Sequence, residues 1–535
     1  MTTRQARTPL RIPINPKVKA APPAGVRRSP PAPSLAGPLH LAGIGGCGMS
    51  GLARILLTQQ TSHTGEHGQV TVTGSDSVMG ETVDALRAEG FSVRPEAEQR
   101  TLPDECRTLV CSAAIKPDHP LVLDAERRGV AVVNYAEALG LLMAERTGVA
   151  IAGTHGKSTT SAMLGCVLAD TGLDPSVIVG AQCGQLQGGS LGSAVFSKPA
   201  GFRVGASEVP IGPYAGRPGL LIAEACEFNR SFHNLRPTIG AVTNVEADHL
   251  DYYGSLDAVV EAFRGFAQRV APADAGGRLL IAHEGAHRIE VAAAASALVE
   301  TIGFHPSATW RVAFDASTRT VHLSHADFGR ASWHLRLPGQ HNAMNSAFAA
   351  AIAIAAGADP ETVGRSLSAF RGVERRCQML GERPVGQPDG AVGTVRVYDD
   401  YGHHPTEVDA TLRALRDFER PQDRGGRLIC VFQPHQHSRT RHLLDEFAGA
   451  FSQADVVIVP NIYFVRDSQV EQHKVTAGDL VDRLRNRGVR AMHLYPFEAI
   501  VEQLENLCQP GDLLVVMGAG PVWEVARDYM ALADT

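Results

Sequence analysis

Several features that would place a chain quickly are missing here. No apolar run is long enough to span a bilayer, so stable membrane insertion is not expected. Cys47, Cys106, Cys111, Cys166, Cys183, Cys226, Cys377, Cys430 and Cys508 are scattered, odd in number and free of any C-x-x-C pair. That argues against a disulfide frame or a thiolate zinc site and fits reduced thiols in a cytoplasmic protein. The net charge of −6 over 535 residues gives no signal for a nucleic-acid partner or a membrane surface. The first 37 residues lack acids altogether. Arg4, Arg7, Arg11, Lys17, Lys19, Arg27 and Arg28 stand there among prolines such as Pro30-Pro31-Ala-Pro33. Such a composition cannot bury a core, and a disordered basic tail is expected over 1–37. No apolar segment follows its charges, which argues against a signal peptide.

What is present is enough apolar residue, 44%, to fill real cores, and a length that predicts about three domains. The densest chemical signal is Gly148-Val-Ala-Ile-Ala-Gly-Thr-His-Gly-Lys-Ser-Thr-Thr160. Val149 to Ala152 suit a buried strand. Gly153, Thr154, His155, Gly156, Lys157, Ser158 and Thr159 turn the chain, and Ser161 to Leu168 predict a helix opened by hydroxyl residues, the usual N-cap types. Strand, glycine turn and helix make a phosphate cradle, because free N–H groups and the helix dipole favour an anion there. Lys157 supplies a point charge for terminal phosphates, and the Ser158 hydroxyl suits Mg²⁺. The spacing departs from the common P-loop, which has four residues between its glycines. Gly153 and Gly156 are closer than that. A glycine-rich turn before an ordinary helix is the plain alternative.

A second glycine turn lies about 110 residues earlier, in Leu39-His-Leu-Ala-Gly43-Ile-Gly45-Gly46-Cys-Gly48-Met49-Ser50. A strand entering Gly-x-Gly-x-x-Gly before a helix at Leu52–Leu57 is a diphosphate-binding pattern. Alone it also fits a nicotinamide cofactor. Two such turns imply two nucleotide-like ligands, which a simple dehydrogenase does not need. Strands ending in Ser75 and Asp76, and in Ser112, could hold a ribose or sugar.

Further along, Leu220-Leu-Ile-Ala-Glu224-Ala-Cys-Glu227 reads as a strand delivering Glu224 as an oxygen ligand to an ion at the cradle, with Glu227 a weaker candidate. His249, between Asp248 and Asp251, could bind metal or order a carboxylate; a helix-start cluster is the alternative. Residues 278–337 predict hairpin-like strands at a domain edge. Asn342 and Asn345 share one face at the start of an Ala-rich helix, where an amide can meet an adenine edge or simply cap. Arg375 and Arg376 sit in a hinge-like segment and could meet a terminal phosphate. Val395–Glu407, with Asp400, His403 and His404, and Leu428–Arg441, with His435 and Arg439, each read as strand, polar turn and helix, giving a further doubly wound sheet. His403, His404, His435, His437 and His442 do not make a zinc site, since two are adjacent in a turn and no thiolate accompanies them.

Taken together these motifs resemble the Mur ligase family. The residues that carry the resemblance are Gly43–Gly51, Gly153–Thr160, Thr243-Asn-Val-Glu-Ala-Asp-His249, His341-Asn-x-x-Asn345, Gly372–Arg376, Tyr398–Glu407 and Phe432-Gln-Pro-His435, spread from about residue 38 to the C-terminus. The resemblance implies three α/β domains: a Rossmann-like UDP-sugar domain over 38–145, a central ATPase domain over 146–372, and a Rossmann-like C-terminal domain over 373–535. It implies ATP, Mg²⁺, UDP-N-acetylmuramate and L-alanine as ligands, amide formation through an acyl phosphate, and a role in peptidoglycan precursor synthesis. It also implies a monomer or weak homodimer. Lys157 and Arg376 would stabilise the transferring phosphoryl group. Ser158, Glu224 and His249 would hold metal, Asn342 and Asn345 would lie at the adenine and Asp400 at the ribose. Gly45, Gly46, Gly48, Met49, Ser50, Ser75, Asp76 and Ser112 would seat the UDP-sugar, and His403, His404 and Arg439 would approach the carboxylate and the alanine. A ligase for a preformed peptide, or a non-catalytic nucleotide-binding regulator, are the competing expectations. Three departures from the family pattern stand out: Ser158 for the usual Thr, the acid-poor Glu224-Ala-Cys226-Glu-Phe-Asn229, and Gln436 where Arg is usual. Arg441 is a candidate to replace that arginine.

Overall fold

The computed structural model describes residues 33–63, 72–186, 200–386, 392–465 and 467–531. The basic tail up to residue 32, and 187–199 of the glycine-rich stretch, fall outside the described residues. Among the described residues the strands form three sheets of five, ten and six.

The first sheet runs in the order Ser92–Pro95, Val72–Asp76, Leu39–Ala42, Thr108–Cys111, Ala131–Asn134, every pair parallel. The chain thus reverses its winding beside Leu39–Ala42, and the first glycine turn opens at that reversal, where doubly wound sheets bind ligands. The helix after the turn spans Cys47–His63, starting earlier than the apolar run Leu52–Leu57 suggested.

The second sheet is centred on Thr147–Ala152, all six residues buried. On one side it pairs in parallel with Ile239–Val242 and on the other with Leu220–Ala225. Arg278–Ala282 and Leu298–Gly303 extend it in parallel. Only Trp310–Asp315, Thr320–His325 and Gly329–His334 form the expected antiparallel edge. The short helix Arg288–Ala292 lies between the two parallel strands, so the first part of 278–337 is a crossover and not a hairpin. At the far edge Ser176–Cys183 pairs with Ala200–Arg203. Helix Lys157–Asp170 is buried from Ser158 through Leu168, and the Ala-rich helix Gln340–Ala355 packs on it. Small side chains on both let the two backbones approach closely.

The third sheet pairs Gln378–Gly386 antiparallel to Val392–Asp400, followed by parallel Leu513–Met517, Leu428–Phe432, Val456–Val459 and Arg490–His493. Apolar clusters cover both its faces, as an inner parallel sheet requires. The first two units share a core: Leu39, Met49 and Leu139 pack in one cluster with Leu221 and Phe263. No helix among the described residues is long and apolar enough to cross a membrane.

Candidate active site

The cradle forms where Thr147–Ala152 ends. Gly153 has φ +143° and Gly156 φ +85°, both in the region that favours glycine. A Cβ on Gly153 would lie 1.9 Å from Thr243 Oγ1, and one on Gly156 would lie 2.4 Å from Asn345 Oδ1. Gly156 is the N-cap, and the helix begins at Lys157, not near Ser161. Ser158, Thr159, Thr160 and Ser161 lie inside the helix and are buried, so they are not its caps. No side chain caps this N-terminus, which leaves its N–H groups turned toward an anion site. The loop is sewn to the strand beside it. Thr243 Oγ1 donates to the His155 carbonyl at 2.6 Å, the His155 N–H donates to Asn244 Oδ1 at 2.8 Å, and the Glu246 N–H donates to Thr154 Oγ1 at 2.9 Å.

Lys157 Nζ donates to the Gly153 carbonyl at 2.5 Å and the Thr154 carbonyl at 3.0 Å, and pairs with Glu227 at 2.9 Å. Burial opposes its charge, but Glu227, with the acidic groups of Cys226 and Glu224 beside it, outweighs burial and raises the pKa of the ammonium. Glu227, set aside in the sequence as the weaker acid, is therefore the lysine's partner. It is 3% exposed and also lies 3.7 Å from His249 Nε2. Glu227, Asp248 and His249 bring one ligand atom each within 4.8 Å of one another. His249 has φ +52°, and burial lowers its pKa, leaving a neutral ring able to donate a lone pair. Glu224 ends the neighbouring strand, where its carboxylate accepts from the Gly180 N–H at 3.0 Å. Ser158, Glu224, Glu227 and His249 line one cavity of about 500 Å³ with Lys157. Hydroxyl and carboxylate oxygens are what a hard cation beside phosphates takes, and Ser158, Glu224 and Glu227 supply them, so these residues fit Mg²⁺, with the His249 imidazole a softer donor beside them.

The C-terminal unit closes the same cavity with Arg376, His403, His435, Gln436 and Arg439. Arg439 pairs with Asp248 at 2.9 Å, with 5% and 7% of the two side chains exposed. Burial pushes the Asp248 carboxyl up, yet Arg439 holds it well below the usual range. Burial pushes His403 down to about 4, so that ring is neutral, and its Nδ1 lies 3.1 Å from the Tyr401 carbonyl. Arg376 stacks on the Tyr401 ring at 4.8 Å and reaches within 3.9 Å of Glu407. Arg375 also lines the cavity, lying over the Tyr401 ring at 5.1 Å and donating to the Gly518 carbonyl at 2.8 Å. His404 does not line this cavity: its Nδ1 accepts from the Thr406 N–H, capping the helix Pro405–Glu419, and its Nε2 lies 3.2 Å from the Ala247 carbonyl. Arg441 pairs with Glu471 at 2.9 Å outside the cleft, so it does not stand in for the arginine absent at Gln436.

A smaller cavity of about 260 Å³ adjoins the cradle between the central and C-terminal sheets. Asn342, Asn345, Thr159, Arg376 and Asp400 are among the residues lining it. Asn345 donates to Asn342 Oδ1 at 3.2 Å, and Asn342 donates to the Pro338 carbonyl at 2.8 Å, so the amide pair is pre-oriented; the N-cap is Gly339. Each Asp400 oxygen accepts a backbone N–H, from Cys377 and from Gly402, both at 2.6 Å. Burial pushes its pKa up to about 6 against the pull of Arg376.

In the first unit the Gly45 N–H is taken by Asp76 Oδ2 at 2.7 Å. Gly46 is exposed at the turn. Gly48 is required because a Cβ there would lie 2.6 Å from the Tyr135 hydroxyl. Met49 is 4% exposed and in the core, Ser50 Oγ donates to the Cys47 carbonyl at 3.0 Å, and the buried Ser75 hydroxyl lies 3.2 Å from His40 Nε2. These three side chains face inward. Ser112 Oγ sits where a Gly43 Cβ would be, 2.4 Å away, at the mouth of the turn.

Two carboxylates absent from the sequence-level candidates also enter the site. Glu407 could have been anticipated as the acid two residues after the helix-initial Pro405, the position that completes a capping box with His404. Glu246 carried no local signal, because its partner Thr406 is 160 residues away.

Three ordered α/β units, a lysine cradle and a metal-ready acid cluster facing a third sheet define a nucleotide-dependent ligase architecture, and the chain belongs to the Mur ligase family. Three family models match in order: Mur ligase family, catalytic domain, over 38–147; Mur ligase middle domain over 151–353; and Mur ligase, glutamate ligase domain, over 375–520. Among curated relatives, the UDP-N-acetylmuramate–L-alanine ligase of Kineococcus radiotolerans is 38% identical, covering 93% of this chain and 96% of that protein. The protein of the same name from Mycobacterium sp. (strain JLS) is 35% identical over 94% of this chain and 96% of its own. Among solved structures, the UDP-N-acetylmuramate–alanine ligase of Thermotoga maritima superposes with a TM-score of 0.67 at 22% identity, covering 93% of this chain and 99% of that one. A murein peptide ligase from Psychrobacter arcticus gives 0.64 at 21% identity, covering 92% and 98%, so the fold alone does not separate the two activities. Family membership removes the nicotinamide alternative for the first glycine turn.

Proposed function

We propose that this chain joins L-alanine to the lactyl carboxylate of UDP-N-acetylmuramate, with ATP converted to ADP and phosphate through an acyl phosphate, in peptidoglycan precursor synthesis. The observation that carries the proposal is the convergence of Lys157, Glu224, Glu227, His249, Arg376, His403 and Arg439, from two sheets, on one cavity that also touches Cys47 of the first glycine turn. The alanine-adding activity, rather than addition of a preformed peptide, is supported by the names of relatives sharing 32–38% of their residues over nearly the whole chain.

In this reading Gly153–Thr159 wraps the phosphates, and Lys157 leaves its own loop carbonyls to meet the terminal one. Arg376 adds charge where the phosphoryl group transfers. Ser158, Glu224 and His249 would hold Mg²⁺, with Glu227 beside them; the ion supplies screening between the carboxylate and the phosphates. Asn342, Asn345 and Asp400 line the cavity assigned to adenine and ribose, Asp400 bracing the hinge while it does so. The first glycine turn, through Gly46, Gly48 and Ser112, seats the UDP end; Gly45 and Asp76 hold each other, and Met49, Ser50 and Ser75 support the turn from behind. Arg439 is the cation for the substrate carboxylates, in exchange with Asp248. His403, neutral at pH 7, can orient the attacking amine by accepting a hydrogen bond from it, while a ring lowered to about 4 is too weak a base to hold that amine's proton. His404 holds the helix that carries these groups. No covalent nucleophile is needed; orientation and fixed charge do the work. Cysteines with no disulfide partner support a cytoplasmic setting. Isotope-traced formation of UDP-N-acetylmuramoyl-L-alanine tests the assignment, and failure to form it with ATP and Mg²⁺ present would sink it.

A further inference from the structure

One cradle side chain has no part in the chemistry above. The backbone of His155 is fixed to the central sheet through Thr243 and Asn244. Its ring crosses to the C-terminal unit. Nδ1 lies 3.1 Å from Glu407 Oε1, and Nε2 lies 3.5 Å from Glu246 Oε2. The ring is 13% exposed and packs on His404, centroids 4.7 Å apart. Burial opposes a proton on it, but Glu407 and Glu246 outweigh burial and push its pKa up to about 9.

The partners cannot easily turn away. Glu407 Oε2 accepts the N–H groups of His403 at 3.0 Å and His404 at 3.3 Å, and Arg376 is 3.9 Å from Oε1. Glu246 accepts from Thr406 Oγ1 at 2.6 Å. Two carboxylates on opposite sides of a domain boundary thus meet one cation carried by the phosphate loop. Without it, the more buried Glu407, 16% exposed, and the more open Glu246, 35% exposed, would face each other beside a site built for polyphosphate, and like charges there repel.

We propose that His155 is a positioning residue, a cationic tie through which the phosphate cradle sets the placement of the C-terminal domain. The link to nucleotide rests on the function proposed above; the tie itself does not. Because the ring hangs from the loop whose N–H groups face the phosphates, a change in that loop reaches Glu407 with no residue between.

The test uses the full-length chain with His155→Gln, Glu407→Gln and the double variant. Small-angle scattering without ligand reads the tie, and calorimetric titration with ADP reads its coupling to nucleotide. Each single variant is expected to widen the unliganded particle and weaken ADP binding about tenfold, with the double variant no worse than the stronger single one. UDP-N-acetylmuramate binding should be unchanged. Should His155→Gln fail to fold, Glu407→Gln alone carries the comparison. A wild-type scattering profile in the folded single variants, or fully additive effects, would overturn the tie. If wild type itself binds no ADP, the nucleotide reading fails while the scattering result still decides the tie.

Discussion

Lys157 bears most of the account at the level of single residues. It is held on its own loop and on Glu227, so its charge is in place before any ligand arrives. Lys157→Ala should lower phosphate release by about a hundredfold to a thousandfold or more, the cost of removing one preorganised charge at a reacting group. Calorimetry should show UDP-N-acetylmuramate binding intact; a variant that still turns over would move the cradle elsewhere. Arg439 makes the second residue-level case. It and Asp248 are both nearly fully buried, and removing one partner of such a pair costs about 3–5 kcal/mol. Arg439→Ala should therefore lower the thermal midpoint as well as the rate, whereas loss of rate alone would mean that Asp248 finds water or another partner. The placement of such residues was only partly visible in the sequence. Lys157 and Ser158 were legible at the cradle because strand, glycine turn and helix leave a local imprint, and Glu224 because its own strand ends in acids. The lysine's pairing with Glu227, 70 residues on, left none.

Among the elements, the helix Lys157–Asp170 shows why local patterns mislead at boundaries. Hydroxyl residues suggested a side-chain cap near Ser161, but the chain uses Gly156 in a left-handed conformation and leaves the first N–H groups open. A binding helix gains nothing from capping itself. Gly156→Ala should be doubly unfavourable, since φ is +85° and the new Cβ would meet Asn345 Oδ1 at 2.4 Å. A loss of about 1–3 kcal/mol in urea denaturation is expected for the strained backbone, with ADP affinity falling too. An unchanged denaturation midpoint would show that the loop relaxes. The opposite lesson comes from His404: its motif places it with His403 at the carboxylate and the alanine, yet the element it begins, Pro405–Glu419, uses its ring as the cap. The spacing of the two histidines cannot reveal which ring the turn points into the cleft.

Across the whole molecule, the three α/β sheets were legible from alternating apolar strands and helical periods, and their order follows from chain order. How the sheets face one another was not, because contacts such as His155–Glu407, Thr406–Glu246 and Arg439–Asp248 join residues 160 to about 250 positions apart. The first of these contacts is expected to give the interdomain arrangement a pH dependence. His155 has its pKa raised from 6.5 to about 9 by Glu407 and Glu246 despite burial. A raised value means that the stabilisation is fully present below about 6.5 and is lost as pH climbs through about 9. Scattering from pH 6 to about 10 should show the particle widening toward the alkaline end, and His155→Gln should flatten that change. A wild-type profile that does not respond would remove His155 from the boundary.

The claim on which all of this depends is the reaction itself. Release of phosphate from ATP, followed with UDP-N-acetylmuramate and each amino acid in turn, measures it most directly. The account predicts release that requires the sugar nucleotide and Mg²⁺ and is fastest with L-alanine. Gln436, which lines the cleft beside Arg439, makes glycine and serine the amino acids to compare first. No release with alanine, glycine or serine, from a folded protein that binds the sugar nucleotide, would contradict it.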